Sequence, residues 1–392
     1  EQIAGSNLAA SGVGLDFTDT WMIRLDPKTE KNIFVAGGRH TFFSSDRGRK
    51  FQRSDPGGEG LHDIRAVSPV VGAKDLFLAD SRGIWRSKNM GKKWGKKPEY
   101  ISDPLALFWD EHYKKRLWAI FHDKGLAQSE DTKRQKWAPV GEGTGYADLE
   151  LRELSFNHRD HKIILAASPV TGLHTSSDRG ETFEPVESNL PAYVPGVVHV
   201  AVHPAGDGVA LALTEYGRVF QSSDGGFEWS AASRLGQAPQ RLVPGSKAGT
   251  WYATGRQLMR SEDDGKTWSV ILPTDNAGDT VYDVHEIEID GKPTLRAAWS
   301  KSGMVVHSAD GGKTWKPGKA PPISDTAHVV SMATDPADPL HVILAATTAQ
   351  LRYSANDTDG GIYETWDGGI KWADITDNVR KTKKDKDPKA KR

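Results

Sequence analysis

The chain has 392 residues, a formal net charge of −1 and no cysteine, which excludes disulfides, a thiolate metal site and a cysteine nucleophile. No apolar run reaches the ~18 residues that a membrane-spanning helix needs. With 40 Gly, 21 Pro and 13 Trp and no long stretch of helical periodicity, the composition is that of a turn-rich β protein.

Residues 1–20 read as an N-terminal extension that could help complete a closed ring, and Glu1 in place of Met fits either a processed secretory precursor or an artificially trimmed chain. From residue 21 a unit begins that recurs to residue 379. It opens with Trp21 to Leu25, turns at Asp26-Pro27, and returns through Ile33 to Ala36. Next comes a short signature, Ser/Thr-x-Asp-x-Gly-x-x-Trp/Phe, first as Ser44, Asp46, Gly48, Phe51. The second copy is Ser87, Asn89, Gly91, Trp94, and the third, Ser129, Asp131, Trp137, has lost its Gly and gained a residue. Copies follow at Asp178, Asp224, Asp263, Asp310 and Asp367, spaced so that successive acidic or Asn positions lie 43, 42, 47, 46, 39, 47 and 57 residues apart.

Each residue type has a local task in a tight hairpin. Ser and Asp side chains bond nearby backbone amides, Gly supplies a positive backbone angle, and the aromatic opens the returning strand and packs inward. Two β-rich runs precede each signature, so every repeat carries four short strands. Four strands in roughly 40 to 45 residues is the period of a propeller blade. The reading is an all-β, single β-propeller of eight blades, with seven as the alternative if the degenerate third copy is not a blade.

The signature resembles the Asp-box, or BNR repeat, of sialidases, sortilin-type receptors, xyloglucanase-type glycosidases and photosystem II assembly factors. The resemblance implies that each box sits on the hairpin between the third and fourth strands and is structural: Asp46, Asn89, Asp131, Asp178, Asp224, Asp263, Asp310 and Asp367. It also implies a secreted, periplasmic or lumenal location. Function is then expected on the opposite face, built from the second-to-third-strand turns and the connections between blades. That register nominates His62, Asp63, Arg82, His122, Asp123, Tyr146, Asp148, Tyr193, His199, Glu215, Tyr216, His285 and His328 as binding candidates.

His62, His199, His285 and His328 lie at or just before the first strand of their repeats. They could converge on a metal at the channel mouth or stand as four independent histidines. An oxygen-rich insertion with Asn356, Asp357 and Asp359 precedes the third strand of the last repeat and reads as a structural or binding loop, with Ca²⁺ held by its oxygens as the alternative. No metal or other cofactor is assigned.

The sialidase pattern is not met, because Arg-Ile-Pro is absent and Ile23-Arg24-Leu25-Asp26-Pro27 is the nearest segment. A glycosidase needs two carboxylates about 5 to 10 Å apart, and the candidate face has enough acids to supply them. The first reading is a non-catalytic platform for a protein partner, with glycan binding or hydrolysis as the alternative. Residues 380–392 hold eight basic and two acidic residues, so the rest of the chain sums to −7. That basic run reads as a disordered tail able to contact an acidic partner, while the negative body argues against nucleic acid.

Overall fold

The computed structural model describes residues 22–375 other than 27–30, 38–39, 59, 62–63, 69–74, 111–115, 123, 130–136, 141–145, 187–195, 207, 237–238, 274–278, 324–326, 336–337 and 349–360. The extension 1–20, the tail 380–392, Asp131 and the loop holding Asn356 to Asp359 therefore lie outside the described residues.

Eight sheets stand in a ring, seven of them four-stranded and one three-stranded, and in each the strands pair in chain order as an antiparallel meander. Blade 1 is built from Met22–Leu25, Ile33–Gly37, His40–Ser44 and Gln52–Arg53. Blade 8 is built from Ala327–Thr334, Val342–Thr348, Gly361–Thr365 and Ala373–Asp374. In blade 2 the fourth strand is reduced to one bridge, Ile84 to Tyr100. The third repeat forms a full blade, Pro104–Asp110 to Trp137–Pro139, so the count is eight. Two one-turn 3-10 segments, Pro56–Gly58 and Ala147–Leu149, complete the regular structure of the described residues.

Each sheet is sandwiched between two others, so its inner strands have no solvent face and read as continuous apolar runs. Ile33–Gly37 and Leu76–Asp80 are buried at every position. The core is accordingly a set of clusters, one or two per seam. Phe34, Met22, Leu78 and Trp85 join blades 1 and 2, and Trp118, Phe156 and Phe183 join blades 3 and 4. Blade 1 meets blade 8 through Ile23, Ile33, Phe51, Ile343, Ile362 and Ile375, and the Ile23 amide donates to Ser331 Oγ at 3.3 Å. The ring thus closes by packing, with no strand exchanged between the described parts of blades 1 and 8.

The boxes fall on third-to-fourth-strand hairpins and share one set of bonds. In blade 6 the Ser261 hydroxyl donates to Asp263 Oδ1 (2.8 Å), the Gly265 amide donates to Ser261 Oγ (2.9 Å), and the Thr267 amide and hydroxyl donate to the Asp263 carboxylate (2.8 and 2.6 Å). These donors outweigh the small desolvation of an exposed group and lower Asp263 to about 2. The box glycine does more than adopt a positive φ. A Cβ on Gly91 would come within 2.2 Å of Phe34, and one on Gly226 within 2.3 Å of Leu165, so the glycine lets each hairpin close on the preceding blade. Antiparallel order puts the box hairpins and first-to-second turns on one face, and the second-to-third turns and blade connections on the other.

Candidate functional site

On the face opposite the boxes, blades 3 to 5 form one continuous surface. It includes a cleft of about 440 Å³ between blades 3 and 4, lined by Leu105, Ile120, Phe121, His122, Gly125, Tyr146, Ala147, Asp148, Glu150, Leu151 and Arg152. The far wall is the 3-10 turn Ala147–Leu149, held between two left-handed residues, Tyr146 (φ 65°) and Glu150 (φ 46°). Non-glycine residues adopt this conformation at a cost and only where their surroundings impose it. Here the Tyr146 ring packs edge-on against Phe183, the box aromatic of blade 4 (5.6 Å between centroids), and its hydroxyl accepts from the Phe183 amide at 3.0 Å. The Thr171 hydroxyl donates to the Leu149 carbonyl at 2.9 Å and fixes the other end of the turn.

From the cleft, backbone bonds run outward across two blades. The Gly196 amide donates to Pro169 (2.7 Å), and the Glu215 amide donates to Gly196 (2.9 Å). This tied surface carries Val170, 42 % exposed, and Tyr216, 69 % exposed, whose phenol is bonded to the Glu215 carboxylate and pushed up by it. Three predicted residues, His122, Tyr146 and Asp148, are thus brought together at the cleft, and Glu215 and Tyr216 stand at the end of the same surface.

His199 and His285 have a different setting. Strand pairing places Glu153, His199, Arg241, Asp283 and Ser331 at one equivalent position in the innermost strands of blades 4 to 8. Each pairs with a second-strand residue three places beyond the one opposite the box Ser or Thr. Blades 1 to 3 put Met22, Ala66 and Ala106 there, so one half of the inner ring is charged and the other is largely apolar.

The charged half is linked blade to blade. His199 Nδ1 lies 2.6 Å from Glu153 Oε2, and Nε2 lies 2.8 Å from the Leu242 carbonyl. A carbonyl only accepts, so Nε2 carries a hydrogen and one further proton lies between Nδ1 and the carboxylate. Glu153 also accepts from the Val200 amide (3.0 Å), and Ser331 accepts from Ile23 in the same way. Innermost strands have a free edge on the axis side, and these side chains satisfy its backbone groups. Asp283 is buried beside His285 (3.1 Å) and Arg241 (3.5 Å). Burial pushes its carboxyl up, but His285, the Arg241 guanidinium and the Val284 amide outweigh burial and hold it well below the usual range. Tyr282, half-buried and next to Asp283, is raised to about 12, by desolvation first and then by the Asp283 charge.

Of the four histidines at first strands, the three described, His199, His285 and His328, form no shared metal-ligating group. His199 and His285 each face their own carboxylate, and His328 opens the first strand of blade 8 opposite Thr347. Among the described residues, no three His, Asp or Glu gather at metal-ligating spacing. Arg82 sits on the blade 2 turn, bonded to Asp80 (3.0 and 2.6 Å) and 4.8 Å over the Trp85 ring. His62, Asp63, Asp123 and Tyr193 lie outside the described residues.

The family model of Sortilin-Vps10 ("Sortilin, neurotensin receptor 3") matches residues 256–392. That stretch carries the boxes at Asp263, Asp310 and Asp367, and every described box in the ring repeats their hairpin and its bonds. The chain is an eight-bladed β-propeller with this hairpin in every described box. No curated protein matches this propeller. Among solved structures, the computationally designed Ika8 protein aligns over 85 % of the propeller chain and 95 % of its own, at 7 % identity and a TM-score of 0.57. The GH74 xyloglucanase from Xanthomonas campestris aligns over 92 % of the propeller chain and 54 % of its own, at 16 % identity and 0.47. YCF48 bound to D1 peptide aligns over 69 % and 85 %, at 16 % identity and 0.46. The propeller spans about half the length of the xyloglucanase, and at these identities the likeness concerns the fold alone.

Two parts of the propeller escape sequence reasoning. Glu153 and Arg241 are ordinary charged residues until strand pairing sets them level with His199 and Asp283. The cleft walls mix apolar side chains with His122, Asp148, Glu150 and Arg152, and its shape depends on left-handed backbone at Tyr146 and Glu150, for which the sequence has no local signal.

Proposed function

We propose that this propeller is a non-catalytic, extracytoplasmic binding platform that holds a protein partner on the face opposite its boxes. The observation that carries the reading is the surface of blades 3 to 5, a cleft where Leu105, Ile120, Phe121, Tyr146 and Leu151 stand among His122, Asp148, Glu150 and Arg152, on a face that also exposes Val170 and Tyr216. Apolar anchors within a polar rim, held on a pre-organised backbone, are the composition of a protein-binding patch. The buried ionisable groups of the inner ring bind one another and the backbone of the next blade, which supports a scaffold role for them. The test is binding of a purified partner to Val170→Ser and Tyr216→Ala, with Lys313→Glu on the box face as control. The reading expects the first two to weaken binding at least tenfold and the control to leave it unchanged.

A second reading rests on Asp148 and Glu150, two carboxylates lining the same cleft beside Tyr146. Hydrolysis or binding of a glycan there requires both acids. Turnover of an oligosaccharide that is lost in Asp148→Asn and in Glu150→Gln would favour this reading over the first.

A further inference from the structure

The box face is not uniform, and its exception lies at the seam where blade 8 meets blade 1. Between the Ser/Thr and the Asp or Asn of the described boxes stand Ser45, Lys88, Ser177, Ser223, Glu262 and Ala309, but Trp366 in blade 8. After the box glycine, five of the seven described boxes have a charged residue, whereas blade 8 has Ile370. Trp366 is 42 % exposed and Ile370 is 56 % exposed, on one hairpin whose turn is fixed by Asp367 accepting from the Ile370 and Lys371 amides (2.9 and 2.8 Å).

Trp366 does not lie loosely on the surface. Its ring stacks face to face on His341 at 3.6 Å and 4°. His341 is fully buried, with Nδ1 3.3 Å from Asp335 and Nε2 2.9 Å from Glu364. The indole is therefore presented on a rigid base, one face committed and its rim in water. Cations surround it. The Arg47 guanidinium lies 5.9 Å from the indole centroid, and Arg49, Lys50 and Lys371 are exposed on the same two hairpins. On the two hairpins these four cations stand against two carboxylates, Asp46 and Asp367, a balance of +2. Asp46 and Asp367 accept within their own boxes, and Asp335 and Glu364 face His341. A basic patch around an exposed Trp–Ile pair thus stands on a body whose net charge is negative.

From this we infer that the blade 8 to blade 1 seam of the box face docks on an anionic lipid surface. The two apolar side chains sit on a convex hairpin tip rather than in a groove, so they fit a planar interface better than a partner's side chain. Trp belongs at such an interface because its body is apolar and its N–H polar. Each Lys or Arg held near an anionic bilayer adds an attraction that falls off within a Debye length. The assignment is independent of the partner surface, which lies on the other face and stays open to solution while the seam is docked.

The test is co-sedimentation of the full chain with phosphatidylglycerol–phosphatidylcholine vesicles and with pure phosphatidylcholine vesicles. The variants are Trp366→Ala, Ile370→Ser, the pair Arg49→Glu and Lys50→Glu, and a chain ending at residue 379, each first checked for an unchanged thermal transition. Ile370→Ser and the charge reversal touch neither His341 nor its carboxylates, so they report on docking even if Trp366→Ala loosens the hairpin. The inference expects binding to anionic vesicles only, weakened by added salt, reduced about tenfold or more by the charge reversal and several-fold by Ile370→Ser, and retained in part by the shortened chain. It is overturned if the chain ignores anionic vesicles or binds neutral ones equally. It is also overturned if all three surface variants bind as the parent does, if shortening alone abolishes binding, or if polyglutamate is captured while vesicles are not.

Discussion

Replacing His199 by Ala separates a scaffold role for the inner ring from a ligand-binding one. In the folded chain His199 joins three blades, through Glu153 of blade 4 and the Leu242 carbonyl of blade 6. Its removal leaves Glu153, only 9 % exposed, with the Val200 amide and no cation. Breaking a buried pair by removing one partner costs about 3–5 kcal/mol, because the remaining charge is uncompensated. The orphaned Leu242 carbonyl adds about 1 kcal/mol, so a loss of about 4–6 kcal/mol is expected. Removing the charge as well, in His199→Ala with Glu153→Leu, should recover at least about 2 kcal/mol of that loss, since an apolar replacement leaves no buried ion. Urea unfolding of the two single variants and the double variant gives the coupling directly. Hydrogen exchange should place the opening at the blade 4, 5 and 6 inner strands. A destabilisation below about 1 kcal/mol, or a double variant no better than His199→Ala, would refute the linked inner ring.

Three further outcomes follow from other parts of the molecule. Gly91 and Gly58 share a φ of 82°, but a Cβ meets Phe34 at 2.2 Å on the first and nothing within 4 Å on the second. Gly91→Ala should therefore cost about 3 kcal/mol or more and Gly58→Ala only about 1, and equal losses in denaturant melts would show that close approach is not what the box glycine permits. Asp263→Ala removes the acceptor of the Ser261 and Thr267 hydroxyls and the Thr267 amide, and should cost about 2 kcal/mol, mostly within blades 5 and 6. His307 is held down to about 4, first by burial and then by Arg296. Its neutral form is the folded one, so its stabilisation is complete above 6.5 and is lost as pH falls towards 4, by up to about 3 kcal/mol. His307→Gln should flatten the stability profile across that window, and an unchanged slope would remove His307 as its source.

The ring was legible in the sequence because the box is local. Its Ser and Asp bond groups within four residues of themselves, and the period repeats the message eight times. Even the degenerate third copy is followed by a fourth strand starting at Trp137. The functional face was legible only as a side of the wheel. Antiparallel order fixes which turns face which way, so His122, Tyr146, Asp148, Glu215 and Tyr216 could be nominated. What gathers the first three is the left-handed pair Tyr146 and Glu150 and the contact of Tyr146 with Phe183, 37 residues away. His199 was read as a channel-mouth candidate because its partner Glu153 lies one blade back, and only the register of two separate sheets brings them level. The Trp366 platform was hidden for the opposite reason, since a Trp beside a box motif looks like one more hairpin aromatic until its exposure is seen.

The central claim is that the face opposite the boxes holds a protein. Photo-crosslinking in an extract of the native source tests it most directly, with a benzophenone amino acid placed in turn at Tyr216 and Asp148 and, on the box face, at Lys313. The account predicts one and the same protein adduct from positions 216 and 148, competed by unlabelled chain, and none from 313. Adducts equally abundant from all three positions, or none from 216 and 148 in an extract where the chain turns over an oligosaccharide, would contradict it.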